Sequence, residues 1–139
     1  MEKEIINKVA KSPIVTFDLE EYYPKGERLK IDISQWLFKG IILKEKEYRA
    51  SLKSYDFSKF KDTYVAIYCS TNAILPSWAI MLLSTYLNQY VKKCVFGSIL
   101  ELELSIYTEI LHNLDVTPFK NRPLIIKGCS KKNIPETVF

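Results

Sequence analysis

Apolar and polar positions alternate along residues 29–33. Leu29, Ile31 and Ile33 fall on one face, and Lys30 and Asp32 on the other. That period of two predicts a half-buried strand. Residues 14–19 (IVTFDL) predict another. With the Pro24-Lys25-Gly26 turn signal between them, the two suggest a hairpin or a neighbouring antiparallel pair. Tyr64 to Tyr68 is almost wholly apolar and β-prone, which predicts a strand buried on both faces. Cys94-Val95-Phe96, closed by Gly97, and Leu124 to Lys127 predict two more.

Helical spacing takes over elsewhere. Residues 44–55 are charged, with Tyr48, Leu52 and Tyr55 on one side, and predict a surface helix in which Glu45 and Arg49 pair one turn apart. Pro76 and Ser77 open a helix over residues 78–91, because proline's missing amide costs nothing in a first turn. Residues 99–114 begin with the alternation ILELEL, but the length of the run and its lack of turn residues favour a helix. Ser34 is expected to cap a short helix that ends at Gly40, and Pro135-Glu136 to open a last one.

The later two-thirds thus alternates strand and helix, which implies an α/β fold with a mostly parallel sheet and an N-terminal antiparallel portion. The 139 residues suggest a single domain, 1–139, with antiparallel strands and helices in 1–60 and duplicated β-α units in 61–139. The duplication is read from two stretches aligned on Cys-Ser. Phe60-Lys61 matches Phe119-Lys120. Residues 65–67 match 124–126 with one residue of slip, Cys69-Ser70 matches Cys129-Ser130, and Pro76 matches Pro135 with another slip. If both strands lie parallel in one sheet, both Cys-Ser bends stand at its carboxyl edge, where open α/β sheets bind ligands.

Composition narrows the classes. Apolar residues make up 47% and charged residues 26% of the chain, ordinary for a globular protein, and the net charge of +4 is interleaved rather than striped. That argues against nucleic acid as a partner. The charged start MEKEIINKVAKS is not a secretory signal, and no apolar run approaches the roughly 18 residues of a spanning helix, so a cytoplasmic protein with no membrane partner is expected. Three cysteines, an odd number, argue against a disulfide framework.

Three roles stand open for Cys69 and Cys129. They are thiolate ligands of a metal or iron–sulfur centre, which ordinarily needs three or four such ligands. They are nucleophiles, although no histidine lies near in sequence to act as base. Or they are small buried residues at strand ends, as Cys94 is expected to be. A phosphatase-type loop is excluded, because Leu75 and Pro135 stand where an arginine would be needed. Isolated glycines exclude a phosphate-binding loop, the lone His112 argues against a hydrolase triad, and Glu101 and Glu103 fall on different helix faces. The candidate ligand-binding residues are therefore Cys69, Ser70, Asn72, Cys129 and Ser130, with Cys69 and Cys129 as candidate metal ligands and no catalytic residue.

The stretches VTFDLEEYYPKGER, WLFKGIILKEKEYR, YVAIYCSTNAILPSWAIMLL, VFG and IIKGCSKKNIP resemble a bacterial family of the Bacteroidetes, domain of unknown function 2480, across essentially the whole chain. The resemblance implies no established activity, substrate, cofactor or catalytic residue. Through the placing of family genes near iron–sulfur assembly genes, it implies an accessory role in iron–sulfur metabolism, with the assembly proteins as partners and Ser70 and Ser130 as supporting donors. Two departures stand out: Asn72 replaces the family's usual Asp, and the chain stops at Phe139, short of a further strand and a cysteine-containing tail. The missing end would leave a sheet edge uncovered, so a homo-oligomer is expected. The alternative to the iron–sulfur role is a non-catalytic module that binds itself or a partner.

Overall fold

The computed structural model describes residues 14–128 and 131–139. They form two compact units, one continuous in sequence (Pro24–Ile106) and one split between residues up to Tyr23 and Tyr107–Phe139.

In the continuous unit, β2 (Arg28–Asp32), β3 (Tyr64–Tyr68) and β4 (Lys93–Phe96) make a parallel sheet with β3 in the middle. The central position fits the apolar run: Val65, Ala66 and Ile67 are fully buried. Helix α1 (Glu45–Ser54) buries Tyr48 and Leu52, one turn apart, and α2 (Ser77–Leu87) buries Ala79, Leu83 and Leu87. The Tyr48 hydroxyl donates to the Ala79 carbonyl at 2.6 Å, which ties α1 to α2 and satisfies a polar group that burial would otherwise penalise. Aromatic rings fill the gaps: Trp36 meets Tyr55 edge-on at 5.1 Å, and Phe57 stacks on Tyr86 at 5.6 Å. Helix α3 (Ile99–His112) opens with a reciprocal cap, in which the Ser98 hydroxyl accepts the Glu101 amide and the Glu101 carboxylate accepts the Ser98 amide. On it, Glu103 is buried and paired with Arg28 at 2.6 Å, while Arg28 also donates to the Pro24 and Gly26 carbonyls and lies 4.7 Å over the Tyr64 ring.

In the split unit, β1 (Val15–Asp18) pairs parallel with β5 (Leu124–Lys127). Phe17, Leu19, Tyr107 and Ile134 make its small core, and the Tyr107 hydroxyl donates to the Leu19 carbonyl at 2.9 Å. Gly128, at φ +145°, lets β5 end against the backbone of Leu19: a Cβ there would lie 2.8 Å from that of Leu19.

The two units share local geometry in detail. In residues 56–68 and 115–127, an Asp (Asp56, Asp115) accepts the amide of the residue two ahead at 3.0 Å. A 3-10 turn ending in Phe follows (Ser58–Phe60, Thr117–Phe119), then Lys, then a residue in the left-handed region (Asp62 at φ 60°, Asn121 at φ 59°), then the strand. The partner strands match as well. Both β1 and β2 end in an Asp that caps a 3-10 turn, and Asp18 stands opposite Lys127 as Asp32 stands opposite Tyr68. The one-residue slip in the sequence alignment falls after the strand, at Gly128.

Two expectations are corrected. β1 and β2 form no hairpin, since each pairs in parallel with a later strand. The turn signal at residues 24–26 does not join a pair of strands. And β3 and β5 do not share a sheet: among the described residues there are two sheets, β1-β5 and β2-β3-β4.

Candidate functional site

The carboxyl edge of β2 and β3 brings three segments of the continuous unit together. Asp32 ends β2. Its Oδ1 accepts the Ser34 amide at 3.0 Å, which caps the 3-10 turn Ile33–Trp36, and the Ser70 amide at 3.1 Å, which anchors the bend after β3. The hydroxyls of Ser34 and Ser70 lie 3.1 Å apart. Partial burial pushes the Asp32 carboxyl up, but the hydroxyls and amides of Ser70 and Ser34 together outweigh it and lower its pKa from 3.8 to about 2. The cap is thus Asp32 rather than the expected Ser34. The sequence carried a signal, an Asp directly before the turn, but both residue types cap well and only the docking of Ser70 separates them.

One residue earlier, the half-buried Cys69 has its sulfur 3.3 Å from the Thr71 hydroxyl, which in turn donates to the Gly40 carbonyl. Gly40, at φ +73°, follows Lys39 at φ 51° in a tight reversal closed by the Phe38 and Ile42 bridge. Glycine adopts the φ of Gly40 without strain, and the reversal leaves Ile41 and Ile42 pointing outward, 56% and 52% exposed. Across from them Ile74 is 93% exposed. These three, with Asn72, Pro76 and Trp78, line a groove of about 550 Å³. The Lys44 amine sits 3.7 Å over the Phe38 ring at its flank.

Of the residues expected to form a site, Ser70 is a structural donor, Asn72 is an exposed part of the groove wall, and Cys69 sits behind the groove. Cys129 and Ser130 lie outside the described residues. Because β3 and β5 belong to different sheets, the expectation of two Cys-Ser bends on one sheet edge does not hold. Among the described residues no three of His, Cys, Asp or Glu cluster as metal ligands would. Cys94 is on β4, its thiol donating to Asn88 Oδ1 at 3.3 Å and pushed up in pKa by burial. His112 is exposed in the last turn of α3. Composition and motif reading missed the groove itself, because Ile41, Ile42 and Ile74 look like core residues until the folded loops turn them outward.

The split unit holds a second concavity of about 750 Å³, lined by Phe17, Leu111, Phe119, Leu124, Ile126 and Phe139 among others.

The match that decides the family covers the residues of both concavities. The chain belongs to the DUF2480 family. The family model, described as a protein of unknown function, matches residues 3–139. No curated protein and no solved structure matches the chain. Membership in DUF2480 therefore attaches these geometries to a family and assigns them no activity. No helix among the described residues is long and apolar enough to cross a membrane.

Proposed function

We propose that this DUF2480 protein is a non-catalytic binding module that takes an apolar segment of a partner protein in the groove at the carboxyl edge of β3. Ile74 carries the reading. A nearly fully exposed isoleucine, beside two more that are half exposed, stands on loops fixed by Asp32 and by the Thr71–Gly40 bond. Such side chains are preformed anchors, and burying one fully contributes about 1.5–3 kcal/mol. The test is capture from a lysate of the protein's own organism. Ile74→Asp should keep the thermal midpoint and lose the protein that the wild type retains. Retention unchanged in the Ile41→Asp, Ile74→Asp double variant would overturn the reading.

An accessory role in iron–sulfur metabolism is the second reading, supported by the half-buried Cys69 thiol at a sheet edge. It requires thiolates beyond the described residues, Cys129 first among them. Anaerobic purification with metal analysis tests it: colourless, metal-free protein, unchanged by Cys69→Ala with Cys129→Ala, ends it. The unpaired thiols of Cys69 and Cys94 support a reducing, cytoplasmic setting. The matched strand registers of the two units support a tandem origin.

A further inference from the structure

In the continuous unit, β3 has a neighbour on each side; in the split unit, the corresponding strand β5 has only β1 among the described residues. The consequence shows in exposure. Val65, Ala66 and Ile67 of β3 are fully buried, whereas Leu124, Ile125 and Ile126 of β5 are 41%, 39% and 47% exposed. The strand is apolar on both faces, Leu124 and Ile126 toward the pocket of the split unit and Ile125 away from it. A pocket ligand would leave Ile125 in water. A strand laid along the open edge sets its own side chains beside those of β5 on both faces.

The backbone direction of that edge is fixed. The Val15 amide donates to the Pro123 carbonyl at 2.9 Å, so Pro123, Ile125 and Lys127 turn their polar groups toward β1. Leu124 and Ile126 turn theirs outward. In β3 the same positions serve β4: the amides of Lys92 and Gly97 reach the carbonyls of Thr63 and Ile67.

We propose that the open edge of β5 pairs antiparallel with β5 of a second copy of this chain, about a two-fold axis through Ile125. Under that symmetry Leu124 exchanges both backbone bonds with the partner's Ile126, and the reverse. Ile125 faces the partner's Ile125 as a non-hydrogen-bonded pair. The edge is then its own complement, as a two-fold interface requires. No proline, bulge or charge interrupts residues 124–126 to block pairing, and Lys127 is drawn aside to Asp18 at 3.7 Å. An apolar edge of this kind needs cover, and a second copy presents a backbone edge that matches it residue for residue. The pairing would also run the two pockets together, which covers Leu124 and Ile126 from both copies.

The experiment uses the full chain. Light scattering coupled to size exclusion should give twice the monomer mass, and Ile125→Asp should give a monomer with unchanged circular dichroism. In a background with Cys69, Cys94 and Cys129 changed to Ala, Ile125→Cys should form an inter-chain disulfide under mild oxidation. A non-hydrogen-bonded pair sets Cα atoms about 4.5 Å apart, within disulfide reach. Leu124→Cys should cross-link far less, because the two copies of that residue lie on either side of the axis. A wild type monomeric at every concentration up to its solubility overturns the proposal. So does a dimer that survives Ile125→Asp, or one that cross-links through Leu124→Cys rather than Ile125→Cys.

Discussion

Asp32 joins the turn after β2 to the bend after β3 through a single carboxylate oxygen, and its ionisation is linked to stability. Its folded pKa, about 2, lies below the ordinary 3.8, so the carboxylate stabilises the fold above about pH 4 and that contribution is lost as pH falls toward 2. For a half-exposed, solvent-screened group the effect is about 1 kcal/mol. Urea titrations of wild type and Asp32→Asn should differ by that amount at pH 7 and converge near pH 2. A constant gap across the range would show that the two Ser contacts do not depend on the charge. At this scale the sequence was least legible. Ser34 and Asp32 are equally good caps on propensity, and the contact that selects Asp32 comes from Ser70, 38 residues away.

Strands and helices were legible because periodicity is local: β5 has the predicted bounds, and α1, α2 and α3 fall within a few residues of theirs. Pairing was not legible, because it depends on which distant strand arrives, and Pro24-Lys25-Gly26 looks like a hairpin turn whether or not its flanks meet. The spacing of Glu103 showed only that it lies on a different helix face from Glu101. Its burial follows from β2 presenting Arg28 to α3. That pair links the two elements across 75 residues, and its partners are 11% and 2% exposed at the side chain. Glu103→Ala leaves a buried guanidinium and should cost about 3–5 kcal/mol, read as a lower urea midpoint at unchanged slope. A loss below about 1 kcal/mol would put the pair in solvent instead.

At the scale of the whole molecule, the division into a continuous and a split unit predicts unequal independence. Pro24–Ile106 contains its own three-stranded sheet and the larger core, so a fragment of these residues should fold cooperatively, with near-ultraviolet dichroism from Trp36 and Trp78 and a single thermal transition. A fragment that stays unfolded would mean that its stability is borrowed from the ends of the chain. The candidate groove was legible only as an address: the sequence placed a binding rim at the carboxyl end of β3, but not which side chains would face outward there. The pairing of β1 with β5 also has a temporal meaning. β1 leaves the ribosome well before its mate, so Pro24–Ile106 is synthesised while that strand waits unpaired. Synthesis speed and chaperone attention should therefore matter for the exposed backbone of β1 during that delay.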